Sequence, residues 1–282
     1  MSYGRRAVAA AIGLVAYAPF GATIVQTSAT DFYARHIVLV PVLAAFLLWI
    51  DRHRFRELTG DGGIGGPVVV AAALGLLAFG YATGSILSQA LSLVGTLAGF
   101  IWWLHGPRGL RRSAFVLVFL LLSVPPPVSA VAAIAPGIQH VVAAFAAAVG
   151  EVLQIPVEQD GVFLRLPAIT LQVAEACAGL RFALVLLVLV AAFARLVLPS
   201  GSAQALLIML SIPVVMAANA MRVAAIAVGA HALGPHVATG PLHDYIGKVF
   251  WMAALLTMIG LAIRLRSRET RTTVRPALQV PV

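Results

Sequence analysis

Residues 67–104 read PVVVAAALGLLAFGYATGSILSQALSLVGTLAGFIWWL and contain no Asp, Glu, Lys or Arg. A helix needs about 20 apolar residues to cross a bilayer, so this stretch holds two spans, placed at 67–84 and 86–104. Inside hydrocarbon each backbone polar group must be satisfied within its own segment, which makes these segments helical. The alternating pattern of a membrane barrel is absent. The same texture recurs on both sides, giving further spans at 7–28, 36–50, 113–124, 177–198, 203–228 and 246–264. The run after Arg5 and Arg6 is read as the first span, since no cleavage site is evident and further spans follow at once. Over the whole chain 61% of residues are hydrophobic and 10% charged, against roughly 25% charged in soluble domains. The expected fold is an all-α polytopic membrane protein of about eight transmembrane helices, one integral domain over residues 1–282.

The charge distribution orients it. The net charge is +9, but the basic residues sit in short clusters between apolar blocks, the pattern of cytoplasmic loops and not of a nucleic-acid surface. Segment 128–150 is apolar and long enough to cross. It holds Pro136, Gly137, Gln139 and His140 near its middle, which suits a bent helix lying in or dipping into the interface. With the N-terminus inside and this segment not crossing, 14 of the 19 Lys+Arg lie inside: Arg5, Arg6, Arg52, Arg54, Arg56, Arg108, Arg111, Arg112, Arg195, Arg264, Arg266, Arg268, Arg271 and Arg275. A crossing would move Arg195 and the five arginines of the tail outside, against the positive-inside rule. Eight spans follow, with both termini inside and an outside excursion over about 125–176. In that excursion the Gln159-Asp160-Gly161 turn lies between β-prone flanks, a small hairpin. The basic tail, 266–282, is expected to follow the anionic lipids of the inner leaflet.

The remaining basic residues include two inside spans. Arg181 lies in the first turns of span six and Arg222 late in span seven. A charge there costs about 2.5–3.5 kcal/mol at the bilayer centre, so such residues usually face a partner or a cavity; the alternative is that both snorkel to the outer interface. Cys177, Arg222 and His243, far apart in sequence, all fall at the outer ends of spans six, seven and eight. Cys177 and Arg181 are four apart, on one helix face. The only cysteine cannot form an intramolecular disulfide, so it is an inert small hydrophobe or a reactive thiol. A helix N-terminus and a nearby arginine favour a thiolate. A histidine near the surface titrates close to neutral pH and can protonate a leaving amine, and an arginine can hold the oxyanion of an attacked carbonyl. Together these are the parts for acyl transfer.

At these residues the chain resembles the exosortase/archaeosortase family of membrane cysteine transpeptidases. The family's nucleophile motif, close to Glu-Ala-Cys-Ser-Gly-Leu-Arg, corresponds to EACAGLR at 175–181. Asn-x-x-Arg corresponds to Asn219–Arg222, and His-x-x-x-Gly to His243–Gly247. The similarity extends to the prolines at 125–127 and to LQIPVEQDGVFLRLP at 153–167. It covers roughly 115–265, so 113–265 is read as the catalytic region and 1–112 as N-terminal spans similar only in hydropathy. The resemblance implies Cys177 as nucleophile, Arg222 as transition-state stabiliser and His243 as third catalytic residue. Arg181, Glu175 and Asn219 stand as supporting residues. His243 points to the bacterial branch, since archaeal relatives carry Arg there. Ala178 replaces the usual Ser. The implied partners are exported proteins whose C-terminus carries a Pro-Glu-Pro-like motif, one span and a basic tail. They would be cut at the outer face of the plasma membrane through a thioacyl-enzyme, the acceptor and the oligomeric state being left open.

The competing reading is a transporter or lipid flippase using Arg181 and Arg222 to hold an anionic headgroup; the lack of detectable inverted repeats weighs against it. A non-catalytic scaffold would make Cys177 incidental. His36, His53, His105, His140, His231 and His236 read as loop or interface residues, with His231 and His236 nearest the expected site. Trp102 and Trp103 read as an aromatic belt. GDGGIGG at 60–66 lacks a preceding strand and reads as a loop. No metal-ligand spacing is present, and no cofactor or nucleic acid is implied.

Reporter fusions after residue 112, at residue 160 and at the C-terminus should read inside, outside and inside. An outside C-terminus would overturn the eight-span orientation.

Overall fold

The structure, a computed structural model, describes residues 3–31, 34, 36–56, 63–174 and 179–274. Helices dominate: α1 (Tyr3–Thr30), α2 (Leu39–Arg56), α3 (Gly65–Thr83), α4 (Ile86–Leu120), α5 (Val128–Val152), α6 (Leu180–Val197), α7 (Gly201–Leu233), the short α8 (His236–Thr239) and α9 (Pro241–Val274). Among the described residues six helices are long and apolar enough to cross a membrane: α3, α4 with the 3-10 turn after it, α5, α6, α7 and α9. The chain is a multi-pass membrane protein, and its described residues are all-α apart from one small sheet.

The chain forms two compact units, Met1–Pro126 and Pro127–Val282. In the first, α3 and α4 pack at backbone distance. A Cβ on Gly66 would lie 2.6 Å from that of Trp103, and one on Gly99 would lie 2.9 Å from the Gly66 carbonyl. Small residues of this kind let helices close on one another where water supplies no driving force. Tyr17 Oη hydrogen-bonds to Ser92 Oγ (3.2 Å) and Thr96 Oγ1 (2.8 Å), tying α1 to α4. Two expected spans, 86–104 and 113–124, fall on α4, which is broken at Gly106 (φ 67°, ψ −171°). That backbone region is open essentially to glycine alone, and Pro107 pushes the residue before it out of helical geometry.

In the second unit α7 is the central element. One side meets α6 and α9 through Leu186, Val190, Leu207, Val215, Ala254 and Met258. The other meets α5 and the sheet through Val142, Ala146, Leu164, Val173, Val223 and Ala227. The Val- and Leu-rich run of α6 would suit a buried strand in a soluble protein; in lipid only a helix satisfies its own backbone. Ser200 accepts from Ala203 N (3.2 Å) to cap α7, and its hydroxyl donates to Glu269 of α9. These contacts join the expected inner ends of α7 and α9.

Two expectations need correction, in the sheet and at the start of α6. Segment 128–150 forms the single 25-residue α5, with Pro136 inside it. Length and composition admit α5 as a crossing segment, whereas the charge distribution argues against it. Its polar residues serve the sheet. Gln139 Nε2 donates to the Val173 carbonyl (2.9 Å), and the His140 carbonyl accepts from Gln159 Nε2 (3.4 Å). The expected hairpin is a three-stranded antiparallel sheet, β1 (Glu158–Asp160), β2 (Phe163–Arg165) and β3 (Thr170–Gln172). Gln159 lies in β1 and not in the turn, which Gly161 and Val162 make. Arg165 and Asp160 pair across β1 and β2. Finally, α6 starts at Leu180 and not at residue 177.

Candidate active site

Arg222 is 8% exposed, a guanidinium sunk among α6, α7 and α9. Its Nη2 lies 2.8 Å from His243 Nε2. A guanidinium only donates, so Nε2 is the acceptor and the ring proton belongs to Nδ1. His243 is thus a neutral imidazole in this arrangement. Arg222 Nε and Nη1 are buried and have no hydrogen-bond partner among the described residues. Two of the three guanidinium nitrogens are therefore without a partner in a nearly dry setting.

Three features shape this arrangement. His243 and Gly247 share a face of α9, one turn apart. A Cβ on Gly247 would stand 3.2 Å from Arg222 Nε, so glycine lets α9 lie flat against the guanidinium. Phe182, in the first turn of α6, turns its ring toward both arginines: Arg181 Cζ is 5.2 Å from its centre and Arg222 Cζ 5.8 Å. These distances fall in the cation–π range. Asn219, one turn before Arg222, is 5% exposed and packs on Gly179. Gly179 precedes α6 in the left-handed conformation (φ 85°, ψ −7°). A Cβ there would fall 2.7 Å from Asn219 Cγ.

Beyond the guanidinium a narrow, half-open cleft enclosing about 20 Å³ continues past Phe182, Ala218, Phe250 and Trp251 to Val215 and Ala254. Residues 215, 218, 219 and 222 follow one face of α7, and 247, 250, 251 and 254 one face of α9. The two faces line a slot about two helical turns long.

Of the expected site residues, Arg222, His243 and Asn219 come together. Arg181 is half-buried and meets the group through Phe182. Glu175, Cys177 and Ala178 lie outside the described residues. The expected shared helix face of Cys177 and Arg181 falls on Cys177, which lies outside the described residues; α6 itself begins after Gly179. No hydrogen bond joins Asp244 to His243 among the described residues, and His231 and His236 are exposed. Among the described residues no group of three His, Cys, Asp or Glu side chains could hold a metal. Sequence reasoning missed Phe182, Phe250 and Trp251. Their only signal is helical spacing, which lipid-facing aromatics share.

A buried arginine held by a histidine thus stands at the mouth of an apolar cleft, with the Gly179 turn packed on the same helix. The chain belongs to the transmembrane exosortase family, whose model matches residues 28–260. No curated protein and no solved structure gives a match.

Gly179→Ala should lower the unfolding temperature in detergent by several degrees, since a non-glycine residue at positive φ costs about 1–3 kcal/mol and the new methyl meets Asn219. An unchanged melting curve would mean that the Gly179–Asn219 contact does not anchor the start of α6.

Proposed function

We propose that this protein is a cysteine transpeptidase acting on membrane-anchored proteins at the outer face of the plasma membrane. One observation carries the reading: a buried guanidinium, held by His243, leaves Nε and Nη1 unpaired on the helix that Gly179 packs against. Cys177 precedes Gly179 by two residues, a reach of about 7 Å along an extended chain. The contact of Gly179 with Asn219, one turn from Arg222, supports this reading.

The Cys177 thiolate attacks the scissile carbonyl, and the carbonyl oxygen takes the electron pair. Arg222 Nε–H and Nη1–H receive the oxyanion, a preorganised donor pair in a low-dielectric site. The intermediate collapses, the C–N bond breaks, and the nitrogen of the C-terminal segment leaves with a proton taken from solvent. The remaining thioester passes the N-terminal part of the substrate to an acceptor nucleophile, which displaces the thiolate. His243 has a different role from the proton transfer expected of it. With Nε2 engaged by Arg222, its work is to accept Nη2–H and so aim the fork. The substrates are exported proteins with C-terminal sorting signals, of the Pro-Glu-Pro, span and basic-tail kind.

Cys177→Ala should abolish processing while the protein still inserts, leaving full-length substrate; normal cleavage by a well-expressed variant would remove the cysteine mechanism.

Arg222→Ala should cost about 10²–10³ in rate, as for other lost oxyanion donors, with Arg222→Lys recovering part because lysine lacks the planar fork. His243→Gln, whose side-chain oxygen can also accept Nη2–H, should retain at least about tenfold more activity than His243→Ala, ten-fold being about 1.4 kcal/mol of barrier. Equal loss in the two histidine variants, with one limb of the pH–rate profile gone, would instead assign His243 to proton transfer.

A further inference from the structure

The transpeptidase reading uses the guanidinium but not the slot beside it. On α7 the lining runs from Arg222 back to Val215, and on α9 from Gly247 forward to Ala254. Seven residues on each helix correspond to about 10 Å at 1.5 Å per residue. Both directions lead away from the helix ends joined through α8 and into the apolar middle of α7 and α9. The wall there is Phe182, Ala218, Phe250 and Trp251, ending at Val215 and Ala254. Polar lining is confined to Arg222 and Asn219 at the mouth. The cleft encloses only about 20 Å³, room for one small group, and is otherwise open along its side, so a guest would lie against its walls. The cleft is far too small for a helix about 10–12 Å across.

Resting on the proposed function, we infer that this slot is the subsite for the leaving side of the substrate: it takes the apolar side chains immediately C-terminal to the cleaved bond, where the substrate chain begins its membrane span. The argument is geometric. Arg222 fixes where the attacked carbonyl oxygen sits. From that point the chain has two directions. The residues before the bond belong to the exported part and go toward water. The residues after it must enter the membrane, the direction in which the slot runs. Its apolar walls reward burial of such side chains and penalise a charge, which would find no partner there. The substrate's entry into the membrane is therefore read by side chains in an extended segment, before its helix begins. Ala218 limits the width of the slot from α7, and Trp251 forms its wall on α9.

The test uses the full-length enzyme in membranes and one substrate whose cleavage site has been located by mass spectrometry. The two residues after the cleaved bond are set to Leu, Gly or Asp. The wild-type enzyme should favour Leu over Asp by at least about tenfold in kcat/KM, since a methylene-sized difference in an apolar pocket already gives about 10–200-fold. Ala218→Leu should lower kcat/KM for the Leu substrate at least tenfold and change the Gly substrate less than threefold. Should Ala218→Leu fail to accumulate, Trp251→Ala serves instead, and it should shift preference from Leu toward Phe. Equal processing of Leu, Gly and Asp substrates by the wild-type enzyme would overturn the subsite. So would variants that slow every substrate alike. Cleavage that persists in Cys177→Ala marks failure of the transpeptidase reading itself. Cleavage that needs Cys177 but ignores these residues removes only the subsite.

Discussion

Burying a guanidinium among transmembrane helices costs several kcal/mol unless something repays it. Arg222 is repaid in part. One N–H finds His243 Nε2 at 2.8 Å, and the Phe182 ring offers its face at 5.8 Å. Nε and Nη1 gain nothing from the described residues. A charge kept half-satisfied in a low-dielectric place is poised for an anion, because its field is weakly screened and no reorganisation is needed when the anion forms. Much of the second unit is explicable as support for that one side chain.

The support comes from small residues in particular places. Gly247 lets α9 approach the guanidinium, and Gly179 lets the start of α6 pack on Asn219. Each removes a Cβ from a contact that would otherwise push Arg222 or its helix away. The α7–α9 pair is held further down by Leu207, Val215, Ala254 and Met258 and at the other end by Ser200 and Glu269. On the opposite side of α7, the sheet and α5 fill the space with Leu164, Val173 and Val142. The central helix is clamped on two sides, which fixes the depth and direction of Arg222.

Much of the fold could be read from the sequence, because apolar length and charge placement obey the bilayer. Arg222 and His243 were also legible, as an intramembrane charge and a histidine at one expected depth. Their direct hydrogen bond was not, since it depends on how α7 and α9 face each other. The start of α6 was read three residues early, because nothing in the apolar pattern marks that Gly179 takes a positive φ just before Leu180. Gln139 and His140 looked like signs of an interfacial bend, yet they bond to the sheet that packs beside α5. Polar residues in an apolar helix announce a partner without saying which one. The aromatic walls of the slot were silent because Phe250 and Trp251 have the spacing of any membrane helix.

The central claim is that Cys177 takes up the substrate's acyl group while Arg222 holds the developing oxyanion. Its most direct measurement is the intact mass of the full-length enzyme, acid-quenched during a single turnover without added acceptor. The account predicts a transient species heavier by the N-terminal fragment of the substrate, mapped to Cys177 and released by hydroxylamine. It also predicts that the C-terminal fragment appears as this adduct forms. Turnover in which both fragments appear together, with no hydroxylamine-sensitive adduct on the enzyme at any time, would contradict it.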